Sequence, residues 1–262
     1  MKKFVVSLLS LFFVLFFAKL WLKLYVEMSI DKIQTHPLVV KPGEILYLNV
    51  PNIGAENPIK RTFEIRVPEN YTVNKPIPLL VWFSPGGGSS SVSSIPPIVD
   101  FSKFLVVALP YPGNKLPRLA IKAGKKQIDS FWEYERPMLE YVKDIIPNIS
   151  KDVRIAAGFS SGAHLVGSGL DRDWLGFADF FTIYVIHEGG YAPDMTYHGV
   201  KSNHKILITY GLQNNSYGKV VVRKMKKAGI TPTVKRLAHT GHSMSEEAID
   251  AIRRWIEFTV NG

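Results

Sequence analysis

The fold is decided by the stretch VRIAAGFSSGAHL, residues 153–165. Its first part, Val153–Ala157, is a short apolar run typical of a strand buried in a sheet. The next five residues fit the pattern G-x-S-x-G with Ser160 at the centre, and the small-residue segment 163–170 predicts a helix. The glycines allow a sharp strand-to-helix turn that lifts the serine hydroxyl clear of the sheet. The Ser161 amide then begins a helix, where unpaired N–H groups favour a developing oxyanion.

Strands and helices alternate on both sides of this turn. The predicted strands are Glu44–Val50, Arg61–Val67, Leu79–Phe83, Phe104–Leu109, Val153–Ala157, Phe180–Ile186, Lys205–Tyr210 and Pro232–Leu237. Helical spacing predicts helices over residues 132–146, 163–170, 219–228 and 244–259. This alternation predicts an α/β fold with a mostly parallel central sheet, flanked by helices and opened by an antiparallel hairpin. No composition break divides residues 44–262, so we expect one domain there.

Two loops carry the other candidate groups. The glycine-rich loop Ser84–Gly88 follows the buried strand LLVWF, where a backbone amide could supply a second oxyanion donor. No G-K-[ST] closes this loop, which disfavours phosphate binding. The loop after the last predicted strand contains His242, and histidine can take a proton from a serine near neutral pH. His239 is an alternative, but a glycine precedes His242 and the tip of its loop can reach the carboxyl edge of the sheet.

The resemblance to a known family rests on four stretches that occur in this order: KRTFEIRVPENY…KPIPLLVWFSPGGG, GFSSGAHL, ILITYGLQNN and GHSM. Together they resemble the α/β-hydrolase superfamily, and most of all its secreted esterases of the polyhydroxybutyrate-depolymerase and feruloyl-esterase type. The likeness covers roughly residues 44–260. It implies an α/β-hydrolase fold and the hydrolysis of small-molecule or polymer-linked carboxylic esters, without a cofactor.

The resemblance also implies the roles of individual residues. Ser160 would be the nucleophile and His242 the general base. Ser161, together with Gly87 or Gly88, would form the oxyanion hole.

The chain departs from the family pattern in two places. Pro85 stands where the family commonly has a histidine before the glycine loop. The triad acid usually ends a G-x-x-D turn, and here that turn ends in Asn214, an amide that cannot stabilise an imidazolium. Glu188, just past the strand FFTIYVI, is the best substitute, with Asp194 in the same loop as the next candidate.

Because residue 214 is an amide, a protein without catalytic activity is an alternative interpretation. A non-catalytic domain of this fold, held at a membrane for binding, would also lack the usual acid. The joint presence of Ser160, its flanking glycines, His242 and the glycine loop favours catalysis instead. A peptidase or an acyltransferase would use the same chemistry, and the sequence does not separate these from an esterase.

The N-terminus predicts export. Two lysines precede the apolar run Phe4–Ala18, which has the pattern of an export signal, and apolar residues continue to Val26. Residues 1–26 are therefore a cleaved signal peptide or an uncleaved membrane anchor, since Phe4–Val26 is long enough to span a bilayer. Residues 27–43 follow as a linker. We expect the remainder to lie outside the cytoplasm.

Composition excludes several classes of site. The chain of 262 residues has no cysteine, which excludes disulfides, thiolate metal sites and a cysteine nucleophile. The other histidines show no metal-ligand spacing, so no metal site is predicted. Four of the lysines behind the formal charge of +10 lie in the N-terminal segment. No aromatic residue interleaves with the basic run Lys219–Lys227, which favours a solvated helix face over a nucleic-acid site.

Overall fold

The computed structural model describes residues 39–50, 61–112, 125–172, 176–191, 195–212 and 216–262. The predicted signal or anchor segment, Asp194 and Asn214 lie outside these residues. Within the described ranges, no helix combines the length and apolar character needed to cross a bilayer.

Eight strands form one sheet in this part of the chain. They are β1 Ile45–Val50, β2 Arg61–Arg66, β3 Ile77–Phe83, β4 Leu105–Ala108, β5 Ile149–Phe159, β6 Ile183–His187, β7 Lys205–Gly211 and β8 Thr233–Leu237. The helices are α1 Lys125–Ile145, α2 Ser161–Arg172, α3 Phe177–Phe180, α4 Ser216–Lys227 and α5 Glu246–Asn261, with a short 3₁₀ turn at Val92–Ser94.

The strand order is β1-β2-β4-β3-β5-β6-β7-β8. Strand β2 is antiparallel to both β1 and β4, and the other neighbouring strands are parallel. The predicted mostly parallel sheet with an N-terminal antiparallel hairpin is therefore confirmed. Because β3, β5, β6 and β7 are parallel neighbours, the loops that follow them meet at one edge of the sheet.

Two apolar cores cover the two faces of the sheet. Alternate residues of β3 divide between them: Val81 faces the core beneath α1, α2 and α4, and Trp82 faces the core beneath α5. Every residue of β3 from Leu79 to Phe83 is buried, as expected for a central strand of a parallel sheet. Helix α5 begins at a capping serine, Ser245, whose side chain accepts a hydrogen bond from the amide of Ala248.

The segment predicted as the strand Phe180–Ile186 has a different start. Residues Phe177–Phe180 form the short helix α3, and the strand begins only at Ile183. A short apolar run has no period that separates a buried helix from a buried strand. Packing decides it here, because the ring of Phe177 lies 4.9 Å from the ring of Trp132 on α1 and 5.0 Å from that of Phe181.

We predict that Phe177→Ala lowers the free energy of unfolding by about 3–5 kcal/mol, the usual cost of removing a buried phenylalanine. Phe177 has no exposed surface, whereas Phe258 is 78% exposed. The matched control Phe258→Ala should change stability by less than about 0.5 kcal/mol. Guanidinium unfolding of both variants measures the difference, and equal losses would contradict this account of the core.

Candidate active site

The turn between β5 and α2 holds Ser160 in a strained backbone conformation. Its φ of 55° lies in the left-handed region, which non-glycine residues rarely adopt. Backbone bonds hold it there: its N–H donates to the carbonyl of His187 (3.0 Å), and its carbonyl accepts from His164 N–H (3.1 Å). Gly162 allows α2 to approach the end of β3, because a Cβ there would lie 1.8 Å from the carbonyl oxygen of Phe83. The turn therefore presents the Ser160 side chain at the carboxyl edge of the sheet.

His242 reaches this serine from the loop after β8. Its Nε2 lies 2.8 Å from Ser160 Oγ, a hydrogen-bond distance. The imidazole is about half exposed and packs against the ring of Phe159, 5.1 Å between ring centres. The structure gives the contact with Ser160 to His242, whereas the backbone N–H of His239, the alternative in the sequence, donates to Glu247 (2.9 Å).

Glu188 supplies a carboxylate behind His242. Its Oε2 lies 3.6 Å from His242 Nδ1, and its side chain is almost fully buried. This distance is longer than a hydrogen bond, but catalytic contacts in free enzymes are often long and tighten with substrate. The other carboxylate oxygen, Oε1, accepts from the N–H of Gly211 at the end of β7. The resemblance places the acid itself in the turn that begins at Gly211. Here a backbone amide of that turn binds the Glu188 carboxylate instead.

The loop that contains Glu188 packs directly on the serine turn. Glu188 is also left-handed, with φ 52°, and its N–H donates to the carbonyl of Thr209 (3.1 Å). The next residue, Gly189, lies so close to the turn that a Cβ would be 2.6 Å from the carbonyl oxygen of Ser160. The positions of the acid and the serine are thus coupled through backbone contact. Asp194 and Asn214, the other acid positions considered, lie outside the described residues.

The glycine loop after β3 lies on the same edge of the sheet. The hydroxyl of Tyr111 donates to the carbonyl of Ser84 at 2.6 Å, and its ring packs against Gly88. The sequence left Gly87 and Gly88 equivalent as oxyanion donors, and the structure separates them. The Gly88 N–H already donates to the carbonyl of Pro85 (3.2 Å), so Gly87 is the better candidate beside Ser161.

His187 is a residue whose role the sequence did not indicate. Its ring is fully buried, with Nε2 2.9 Å from the carbonyl of Ser243 and Nδ1 2.8 Å from Thr209 Oγ1. Burial lowers the pKa of His187 to about 4, so the imidazole is neutral near pH 7. A carbonyl can only accept, so Nε2–H donates to Ser243 and Nδ1 accepts from the Thr209 hydroxyl. His187 therefore ties β7 to the loop that contains His242.

His164 lies on α2, one turn after Ser160. Its Nδ1 accepts from the N–H of Tyr191 (3.1 Å), and its ring meets the ring of Tyr217 edge-on. Burial lowers the pKa of His164 to about 4. This histidine therefore fixes the loop after Glu188.

The aromatic residues in the segments around the site are either buried in the core or partly exposed beside the site. Tyr111, Trp132 and Tyr197 are buried, whereas Tyr191 is partly exposed next to the site. Among the described residues, no three side chains of histidine, aspartate or glutamate are grouped as a metal ion would require.

Comparison with known proteins shows the fold. No protein-family model matches the chain, and no curated protein has a significantly similar sequence. Solved structures do match. An esterase of Rhizomucor miehei is 12% identical with a TM-score of 0.59, and the match covers 85% of each chain. A truncated carbohydrate esterase from gut microbiota is 13% identical with a TM-score of 0.57, over 87% of this chain and all of the other.

A peptidase shares the same architecture over part of its length. The acylaminoacyl peptidase of Pyrococcus horikoshii is 11% identical with a TM-score of 0.57, over 84% of this chain. The chain spans 42% of the length of that peptidase. These similarities, together with the sheet order and the serine turn, show that the chain has the α/β-hydrolase fold.

We predict that Glu188→Gln lowers the kcat for ester hydrolysis by about 10³-fold or more. Glutamine keeps the shape but loses the charge that stabilises the imidazolium, and the equivalent change in another serine hydrolase costs about 10⁴-fold. Asn214→Ala and Asp194→Asn serve as comparisons and should each cost much less. Steady-state kinetics on one ester substrate decides the point: a larger loss in either comparison variant assigns the acid elsewhere.

We predict that His187 acts by positioning the His242 loop. His187→Leu removes the donor to Ser243 and should lower kcat roughly tenfold with little change in KM. His187→Gln provides an N–H of similar reach and should restore kcat to within about threefold. Kinetics of the two variants tests this, because a purely structural role predicts that thermal stability and kcat fall together in both.

Proposed function

We propose that the chain is a serine hydrolase that cleaves carboxylic esters. The observation that supports this best is the 2.8 Å contact between Ser160 Oγ and His242 Nε2, with the buried Glu188 carboxylate 3.6 Å behind the same imidazole. A serine, a base in hydrogen-bond reach and a third group that orients the base are the elements of nucleophilic catalysis. The fold supports the proposal, although fold by itself does not specify an activity.

The proposed reaction follows from where each group lies. Ser160 Oγ attacks the ester carbonyl while His242 Nε2 takes its proton, and Glu188 stabilises the imidazolium that forms. The amides of Ser161 and Gly87 are the proposed donors to the oxyanion of the tetrahedral intermediate. His242 then gives its proton to the leaving alcohol. Water, activated by the same histidine, releases the acyl group from Ser160, so the reaction needs no cofactor.

Esters are the preferred substrate class over amides. An alcohol leaves a tetrahedral intermediate more readily than an amine, so an ester demands less of the general acid. This preference rests on the leaving group and not on the 3.6 Å distance between Glu188 and His242, which can shorten when substrate binds. Small-molecule and polymer-linked esters both remain within this proposal, as do export and membrane attachment through residues 1–26.

The non-catalytic alternative loses its main support. It rested on the amide at position 214, and Glu188 supplies a carboxylate from the neighbouring strand β6 instead. A domain without catalysis would gain nothing from holding Ser160 and Glu188 in left-handed conformations, which costs about 1–3 kcal/mol for each residue.

We expect a fluorophosphonate probe to modify Ser160 of the full chain in a single site-specific reaction. The activated serine attacks phosphorus as it would attack an ester carbonyl, fluoride leaves, and the phosphoryl oxygen of the neutral adduct rests in the oxyanion hole. Mass spectrometry of the peptide that contains Ser160 measures the label, with Ser160→Ala as the control. Absence of label at Ser160, or equal labelling of the alanine variant, would falsify the proposed function.

A further inference from the structure

The basic residues of this chain are distributed unevenly. Residues 195–245 contain no aspartate or glutamate. Over the same interval there are nine lysines and arginines: Lys201, Lys205, Lys219, Arg223, Lys224, Lys226, Lys227, Lys235 and Arg236. The segment forms β7, α4 and β8, and β8 is the last strand of the sheet. One lateral edge of the molecule is therefore built from an acid-free segment.

The fold gathers six of these cations around two adjacent concavities, which we call the cationic groove. The first, of about 510 Å³, is lined by Lys219, Arg223, Lys226, Lys227 and Arg236, together with Tyr210 and Val222. The second, of about 480 Å³, shares Arg223 and Lys227 and adds Lys224, together with Met195, Thr196 and Ala228. No carboxylate lines either concavity.

Three cations of the groove repel one another along α4. Lys219, Arg223 and Lys227 follow one another at i, i+4 spacing on α4, and like charges at that spacing destabilise a helix. Lys219 also lies in the first turn, where a cation opposes the helix macrodipole. Among the described residues, no acidic side chain pairs with any of the three. A bound anionic partner would reduce the repulsion between these cations. Folding by itself does not require cations at these positions.

The shape and chemistry of the groove select the kind of partner. The cations line two shallow, open concavities along which a narrow chain can lie. Nucleic-acid strands are usually held by stacking on exposed aromatic rings, and Tyr210, the aromatic residue of the groove, is only 2% exposed. A flexible polymer with closely spaced acidic groups and no bases can place several charges against six cations at once.

The groove also connects to the candidate active site. Lys224 Nζ lies 5.4 Å from the ring centre of Tyr191, and the N–H of Tyr191 donates to His164 Nδ1. His164 lies one turn from Ser160, and its backbone N–H donates to the carbonyl of that serine. A chain in the groove would therefore pass within a few side chains of the nucleophile.

We propose that the cationic groove binds a flexible acidic polymer that bears phosphate, sulfate or carboxylate groups and has no aromatic bases. The second part of the inference rests on the proposed function: ester groups attached to that polymer are the substrates presented to Ser160. Binding and turnover are separable, so either part can fail without the other.

The test uses the full chain in a neutral detergent and follows the fluorescence anisotropy of labelled polygalacturonate and labelled polyphosphate. We expect affinity for both to fall steeply as salt is raised, and no binding of neutral dextran. The triple variant Lys219→Gln, Arg223→Gln, Lys227→Gln should bind about 100-fold more weakly, since each cation beside an anionic surface contributes roughly a fivefold factor. Its thermal midpoint should stay equal or rise, because repulsion is removed.

A matched triple variant controls for net charge. This control variant removes three exposed cations elsewhere, by Lys41→Gln, Lys75→Gln and Lys151→Gln. It should retain affinity for the polymers to within about threefold. Equal losses in the two triples would overturn the groove as the site. Tighter binding of single-stranded DNA at equal charge would overturn the choice of a polymer without bases. Binding to mixed micelles that contain phosphatidylglycerol in preference to polymer, lost in the groove triple variant, would assign the groove to a membrane surface.

The Ser160→Ala variant separates the two parts of the inference. It should bind polymer like the natural chain, which shows the groove to be independent of hydrolysis. The groove triple variant should hydrolyse a small neutral ester at the natural rate and acetylated polygalacturonate at least tenfold more slowly. If both rates stay unchanged, the groove does not deliver substrate. If the natural chain hydrolyses neither ester, the proposed function fails while polymer binding stands.

Discussion

The candidate site depends on the close approach of helix α2 to the end of strand β3. A Cβ at Gly162 would lie 1.8 Å from the carbonyl oxygen of Phe83, so this packing distance exists only because position 162 has no side chain. The approach makes the chain turn sharply after β5 and forces Ser160 into the left-handed region. It also brings the first amides of α2 next to the glycine loop that follows β3. Nucleophile and oxyanion donors are therefore positioned by one backbone contact.

Backbone contacts also connect the turn of Ser160 to Glu188. Gly189 packs on the carbonyl of Ser160, and the amide of Gly211 holds the carboxylate of Glu188. Ser160, His242 and Glu188 thus have the arrangement of a triad, with the candidate acid directly after β6, one strand earlier than the resemblance implies. His187 completes the arrangement, because a buried neutral imidazole links β7 to the loop of His242. Rigid strands position each of these groups, as catalytic geometry requires.

Charged side chains are distributed unevenly over the described part of the chain. The carboxyl edge of the sheet holds a buried carboxylate beside a histidine, whereas no carboxylate lines the two concavities of the cationic groove. The basic run, which taken alone predicts a solvated helix face, is joined in the fold by Arg236, so that six cations line two adjacent concavities. Arg236 on β8 and the lysines of α4 are distant in sequence and adjacent in the fold.

Sequence alone determined the α/β alternation, the serine turn and the pairing of Ser160 with a histidine after the last strand, because these depend on local periodicity, glycine positions and chain order. It also indicated Glu188, since a carboxylate just past a buried strand lies at the edge where active sites form. Tertiary structure decided what depends on contacts between distant segments. It separated Gly87 from Gly88 through a turn hydrogen bond, made Phe177–Phe180 a helix through packing on Trp132, and gave His187 its role. Such contacts have no periodicity along the chain, so no pattern in the sequence could have revealed them.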